Sequence, residues 1–438
     1  MSKNIVIFVM SPFANNPALN TYSGANGFCE ECVHTNETAI KYIDWELSRD
    51  GEKIDKVYAF VSQDVKRNHY CRFMELFANK NYPIAEVELY NNGDLQGSFI
   101  AICKMFDVIK NDMGAVMSDT IFHIDMTGGP RHASMLMLAL LNMLRYYDAR
   151  VGYVLYTNQQ RKIVEDARDI LDMFALMSGT QEFASYGSVE QIKRYFAFGK
   201  NKSPYMDNLL NAMEGVSEAL KISSSYTEMN KVLDDLSKAI DMYKLYLESK
   251  NYNASEQEVF FAKLLPAIAM EYDEVLPVSG KPANALQIIK WCMKKEFLQQ
   301  AMTLFTEWVP VYLFENKIIR LKDSRIIKEY EQHQKSQQSL VTWQNFFIRR
   351  YQHKFNDREN SRNAFDGVAR AKMFQRMAED NLVEINMSES RFTEVMKIYL
   401  KCVNKWRNRT NHASAKANGK KGNDEIKSTI SNCLELLS

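Results

Sequence analysis

Thr120-Ile-Phe-His-Ile-Asp-Met-Thr-Gly-Gly-Pro-Arg-His-Ala-Ser134 is the stretch whose reading decides the fold. Residues 121–126 predict a buried strand and 131–147 a helix that is apolar almost all round, with Asp125-Met-Thr-Gly-Gly129 as the tight turn between them. Two adjacent glycines open backbone dihedrals closed to other residues and let N–H groups come close to a ligand. The following helix points the positive end of its dipole at the same spot, with Arg131 in its first turn. Such a turn suits an anion, phosphate above all. The same residues also serve an ordinary strand-to-helix connection, so the turn needs context.

Upstream, the chain alternates strand and helix. Asn4-Ile-Val-Ile-Phe-Val-Met10 is a continuous apolar run of the kind buried on both faces of a parallel sheet. It leads into Ser11-Pro12 and a long Asn/Gly-rich loop to about Gly27. A helix is predicted from Thr35, capped by Thr35 or Asn36. Strand Lys56–Ser62, a helix over Tyr70–Ala78 and strand Ile84–Tyr90 follow; the last alternates polar and apolar residues, as an edge strand does. A helix over Gln96–Lys110 precedes the opening stretch, and strand Val151–Thr157 closes the series. Repeated β-α predicts a Rossmann-like parallel sheet, in which ligands bind outside the carboxyl ends of the strands. The dinucleotide fingerprint G-x-G-x-x-G and the P-loop pattern are both absent.

Downstream, Arg161–Met177 is predicted helical, and Ser178-Gly179 marks a domain boundary, giving an α/β domain over 1–178 and an all-α domain over 179–438. Leu286, Ile289, Met293, Phe297, Ala301, Leu304 and Trp308 form one stripe of a long helix over 285–314, which Pro310 should kink or end. The region 321–365 is charged, with Arg349, Arg350, His353, Lys354, Arg358 and Arg362 close together; a solvated helical face is favoured over a nucleic-acid patch. Phe392, Val395, Met396, Tyr399, Leu400, Val403 and Trp406 make a second stripe, running directly into Arg407-Asn-Arg-Thr-Asn-His412.

Composition excludes several classes. The chain has 438 residues, 46% of them hydrophobic and 25% charged, with a formal net charge of +1. That balance gives no global attraction to nucleic acid or membrane, and no apolar run is long enough to span a bilayer. A cytoplasmic protein is expected. The seven cysteines form no disulfide framework. Cys29-Glu-Glu-Cys32 with His34 beside it suggests zinc or redox chemistry, but no second ligand pair follows at a matching spacing; no metal site is expected.

Arg407 and His412 are compatible with RNA cleavage. A histidine near its ordinary pKa moves protons at neutral pH, and a guanidinium holds the scissile phosphate and the charge growing on it. No carboxylate cluster accompanies them, so the chemistry would need no metal. The nucleophile would be the substrate's own ribose 2′-OH, leaving a 2′,3′-cyclic phosphate. On a regular helix residues five apart diverge by roughly 140°, so the pair converges only at a bend or where two copies meet.

An α/β domain with Asp-x-Thr-Gly-Gly-x-Arg, followed by a helical domain with Arg-Asn-x-x-x-His near its end, resembles the CRISPR-associated CARF–HEPN ribonucleases of type III systems. Thr35-Asn-Glu-Thr38 and Lys295-Glu-Phe-Leu-Gln-Gln-Ala301 also look like the family's patterns. The resemblance implies a homodimer whose CARF domains bind cyclic oligoadenylate, of four or six adenylates, as an allosteric activator. It assigns Ser11, Asp125, Thr127, Gly128, Gly129 and Arg131 to the ligand site, with His132 beside them. It assigns Arg407 to the phosphate, His412 to proton transfer or positioning, and Asn408 to polar support, the motifs of two protomers forming one composite site. The substrate would be single-stranded RNA, with no cofactor for catalysis and no stable DNA binding. Related CARF domains sometimes cut their own activator, a side reaction that Thr127 or His132 would serve here. Two other readings compete. One is a nucleotide-sensing regulator without catalysis; the other is a metal-dependent nuclease, which would need a strand-borne acidic pair in the second half.

Overall fold

The computed structural model describes residues 2–80, 83–89, 95–114, 117–129, 133–197, 202–249, 253–278, 280–350, 366–403 and 419–437. The chain divides into two compact units, Met1–Phe174 and Ala175–Ser438. The first is built on strand β1 (Lys3–Val9), whose side chains alternate between two cores. Ile5, Ile7 and Val9 enter one core, and Val6 and Phe8 the other. This is why the run reads as continuously apolar. Both faces are covered.

In chain order there follow β2 (Asn20–Ser23), β3 (Cys29–Cys32), α1 (Thr35–Arg49), β4 (Lys56–Ser62), α2 (Gln63–Asn68), α3 (Tyr70–Glu75), β5 (Ile84–Leu89), α4 (Leu95–Met113), β6 (Thr120–Asp125), α5 (Ala133–Arg145), β7 (Arg150–Asn158), β8 (Ile163–Asp166) and α6 (Arg168–Tyr186). The sheet order is β3-β2-β8-β7-β6-β1-β4-β5. Strands β7, β6, β1, β4 and β5 are mutually parallel. One core holds α4 and α5 residues such as Met105, Ile109, Met137 and Leu140; the other holds Ile40, Ile43 and Leu47 of α1 and Phe73 of α3. The sheet is therefore doubly wound, and its strand order reverses between β6 and β1.

Three expectations change. The segment read as one loop to Gly27 contains β2, which pairs antiparallel with β3, so Cys29-Glu-Glu-Cys32 is a strand. Residues three apart on a strand point to opposite faces: Cys29 is exposed and Cys32 buried, and they cannot converge on a metal or each other. Burial pushes the Cys32 thiol up to about 11. The helix expected from Arg161 begins only at Arg168, because Ile163–Asp166 forms β8, antiparallel to β7. The units divide at Phe174/Ala175, four residues before the expected Ser178-Gly179, and both positions lie inside α6, with no loop between the units. By contrast β5 does lie at a sheet edge, with Glu86 and Glu88 both paired to Lys66. At the opposite edge β3 carries Glu30 and Glu31, both exposed.

Among the described residues the regular structure of the second unit is helical apart from an antiparallel ribbon of Ile319–Leu321 with Val383–Ile385. Glu258 is fully buried at the start of helix Glu256–Tyr272 and accepts from the Ser255 N–H, the Ser203 N–H and the Ser203 hydroxyl. One carboxylate thereby ties together two helix starts, that of Glu256–Tyr272 and that of Pro204–Ile222.

The long helix predicted over 285–314 is two helices, Ala285–Lys294 and Leu298–Glu315. Glu296 between them is left-handed, φ 64°. The N–H groups of Glu296 and Phe297 bond back to the carbonyls of Met293 and Cys292, which is a Schellman stop. Pro310, in contrast, lies inside the second helix, which continues through it to Glu315. A non-glycine residue in that left-handed position is strained by about 1–2 kcal/mol. The Glu296–Lys427 pair that glycine would remove is exposed and worth less. Glu296→Gly is thus expected to raise stability by about 0.5–1 kcal/mol, read as a higher denaturant midpoint at unchanged m-value; a lower midpoint would show that the ion pair dominates.

Arg349 does not belong to a solvated face. Its Nε donates to the Tyr399 hydroxyl at 2.6 Å and an Nη to the Thr306 carbonyl at 2.7 Å. Of the other residues in that basic group, Arg350 ends helix Gln337–Arg350 and 353–362 lie outside the described residues. Tyr399 belongs to helix Glu389–Lys401, whose buried face is Phe392, Val395, Met396, Tyr399 and Leu400, as the periodicity predicts.

Candidate functional site

The site lies where the strand order reverses, at the carboxyl ends of β1 and β6. Crossovers leave that strand pair on opposite faces, so a crevice opens between them. Ser11, two residues beyond β1, meets the Gly128-Gly129 turn beyond β6: the Gly129 N–H donates to Ser11 Oγ at 3.1 Å. Gly129 has φ 84°, and Gly128 has no room for a side chain. A Cβ on Gly128 would sit 1.9 Å from the Val9 carbonyl oxygen and 2.6 Å from Asn36 Nδ2.

Asn36, in the first turn of α1, joins the two strand ends. Its Oδ1 accepts the Ser11 N–H at 3.0 Å, and its Nδ2 donates to Asp125 Oδ2 at 2.6 Å. The other Asp125 oxygen accepts the Thr127 N–H at 2.8 Å, closing an Asx turn. Asp125 is 1% exposed, and burial raises its carboxyl to about 6 against the hydrogen bonds from Thr127 and Asn36. With both oxygens engaged and no solvent face, Asp125 shapes the turn from beneath. Thr127 Oγ accepts the Thr157 N–H at 2.7 Å and so ties the turn to β7.

The cap of α1 is neither Thr35 nor Asn36 but His34. Its Nδ1 accepts the Asn36 N–H at 3.2 Å and its Nε2 lies 3.0 Å from the Ser11 carbonyl. An acceptor at Nδ1 and a donor at Nε2 describe a neutral imidazole. Burial holds His34 down, at about 4, although the Ser11 carbonyl favours its protonation. His123, on β6, behaves alike. It receives the Tyr153 N–H at 3.1 Å where the β6–β7 register shifts, lies 3.1 Å from Asn4 Oδ1, and is lowered to about 4 by burial and by Arg168.

The signs of these shifts set a pH dependence. A depressed histidine contributes stability that is full above its unfolded value near 6.5 and is lost as pH falls towards 4; each is worth roughly 3 kcal/mol across that window. Asp125 runs the other way, contributing below about 4 and losing its contribution as pH rises through about 6. Two histidines outweigh one carboxylate. Calorimetric melting between pH 7 and pH 4.5 is expected to show falling stability, and His123→Gln, with no proton to gain, should flatten the slope. An unchanged slope in that variant would assign the acid sensitivity elsewhere.

Two donors remain at the turn. Among the described residues the Gly128 N–H makes no hydrogen bond, and Ser11 Oγ, which accepts from Gly129, keeps its own proton to give. A backbone N–H and a hydroxyl at the C-terminal ends of neighbouring parallel strands are groups of the kind that hold an anionic oxygen. The fold thus brings together Ser11, Asp125, Thr127, Gly128 and Gly129. Arg131 and His132, like Arg407, Asn408 and His412, lie outside the described residues. Sequence reasoning missed His34 and Thr157 and took Asn36 for a cap. The signal was the topology: a helix leaving β1 at the reversal point must start beside the end of β6. Among the described residues no group of three or more His, Cys, Asp or Glu side chains is placed to hold a metal, and no helix is long and apolar enough to cross a membrane.

No family model and no curated protein matches the chain. Among solved structures it is similar to Can2 from Sulfobacillus thermosulfidooxidans in complex with cyclic tetra-adenylate, at 10% identity over 72% of this chain and 70% of that one. The TM-score is 0.21, an overlap that carries no argument about this chain.

Proposed function

We propose that the chain is an endoribonuclease of CARF–HEPN type, switched on by cyclic oligoadenylate in type III CRISPR defence and cutting single-stranded RNA without a metal. The observation that carries this reading is the glycine turn at the strand reversal. It bears Asp125-x-Thr-Gly-Gly-x-Arg131, sets the Gly128 N–H and the Ser11 hydroxyl at the strand ends, and is followed in sequence by a helical unit that includes Arg407-Asn-x-x-x-His412. In this reading a phosphate of the activator sits on Gly128, Gly129 and Ser11, with Arg131 and His132 beside it. Two copies associate, and activator binding favours the active arrangement of the paired motifs.

Cleavage then proceeds by attack of the ribose 2′-OH on the adjacent phosphorus. The P–O5′ bond breaks, leaving a 2′,3′-cyclic phosphate and a 5′-hydroxyl. Arg407 holds the phosphate and stabilises its growing charge, His412 moves or positions the proton, and Asn408 supplies polar support. A side reaction on the activator would draw on Thr127, whose hydroxyl is already held between Asp125 and the Thr157 N–H, or on His132.

The test is cleavage of a fluorogenic single-stranded RNA in EDTA, with cyclic tetra- and hexa-adenylate added separately. Cleavage that depends on one ring supports the proposal and identifies the activator. Binding without cleavage would favour a sensor that recruits a partner, and cleavage only when metal is restored would place the active site elsewhere.

A further inference from the structure

The loop that carries Ser11 also carries Phe13, which is buried with its ring centroid 4.6 Å from that of His34. Over Phe13 stands Arg72 of α3, its Cζ 4.6 Å from the ring centroid. Arg72 is exposed, and among the described residues no carboxylate pairs with it. In the same unit Arg49, Arg145, Arg161 and Arg168 each have an acidic partner. An aromatic ring orients a guanidinium without consuming its N–H groups, so the fork stays open to an oxyanion.

Its position follows from the chain of contacts already described. Gly129 N–H reaches Ser11, the Ser11 carbonyl meets His34, and His34 packs against the Phe13 ring that holds Arg72. All five residues belong to the carboxyl end of the sheet, since α2 and α3 follow the end of β4, the strand beside β1. Arg72 therefore stands on the β4 side of the crevice, next to the turn and not on it.

We propose that Arg72 contacts a second phosphodiester of the oligonucleotide whose first phosphate occupies the Gly128-Gly129 turn. This rests on the oligoadenylate reading given above. A ligand with several linked phosphates needs cations spread along the crevice, whereas a mononucleotide needs only the turn. The guanidinium fork fits two oxygens of one phosphate.

The test is titration of fluorescent cyclic tetra- and hexa-adenylate into the full chain, comparing wild type, Arg72→Ala, Arg72→Glu and Arg49→Ala. Arg49 is the control: it too stands over an aromatic ring, that of Trp45, but it is paired with Glu46 and lies at the other end of α1, away from the crevice. The expected result is an affinity about tenfold or more weaker for Arg72→Ala, a greater loss for Arg72→Glu, and no change for Arg49→Ala. Wild-type binding with Arg72→Ala unchanged would overturn this inference and leave the oligoadenylate reading standing. Equal losses in Arg72→Ala and Arg49→Ala would reduce the effect to general charge and overturn it too. No wild-type binding to either ring would overturn the oligoadenylate reading itself, and this inference with it.

Discussion

Gly128→Ala should cost the first unit about 3 kcal/mol or more and lower its melting temperature by about 10 °C. The added methyl would stand 1.9 Å from a backbone carbonyl of the central strand and 2.6 Å from the Asn36 amide. Neither can give way cheaply: Val9 is paired with Phe60 and ends a strand held by β4 and β6, and Asn36 is held at once by the Ser11 N–H and Asp125. Relief must come from shifting the turn. That withdraws Gly129 from Ser11 and removes the donors, the Asn36 amide and the Thr127 N–H, that satisfy the oxygens of buried Asp125. If the turn holds oligoadenylate as proposed, the substitution is expected to abolish that binding along with the stability loss. Differential scanning calorimetry and ligand titration on the same sample check both; native melting with native binding would mean that the turn sits differently from the arrangement described.

On the proposed ribonuclease reading, Arg407→Ala with His412→Ala is expected to lower RNA cleavage by about a thousandfold or more while leaving oligoadenylate binding intact. Proton transfer and charge stabilisation are each worth about a hundredfold or more, and groups that act as one unit lose most of the rate when either goes. If the site is composite, there is a further consequence. Excess double mutant mixed with wild type and allowed to exchange should suppress the wild-type rate, because each mixed dimer lacks one half of its motif pair. Cleavage rates at rising mutant-to-wild-type ratio measure this directly. A rate that simply follows the amount of wild type would mean that each protomer cleaves alone.

The α/β order was legible because its central strands β1, β4 and β6 are largely apolar runs of six or seven residues separated by helices of ordinary length; Lys56–Ser62 is found as predicted. What escaped were the short additions. Ile163-Val-Glu-Asp166 and Cys29-Glu-Glu-Cys32 have four residues each, half of them acidic, and owe their strand form to a neighbour's open edge rather than to their own pattern. The stop at Glu296 escaped for the opposite reason. Glutamate favours helices, and the apolar stripe on either side continues in phase across it, so only the backbone reveals the reversal. At the site, the glycines announced themselves. Asn36 did not, since its role depends on Asp125, 89 residues away, and on the strand order that makes them neighbours.

The acidic edges of the sheet bear on how two copies can meet. An open strand edge is a template for another chain, and a self-association that joined two sheets into one would use it. Here an edge-to-edge approach would set Glu86 and Glu88 against their own counterparts at one end, or Glu30 and Glu31 against theirs at the other, with Lys66 already committed. Like charges directly opposed across strands repel. Any pairing of copies is thereby steered away from joining sheet to sheet, which is also the first step of a fibre.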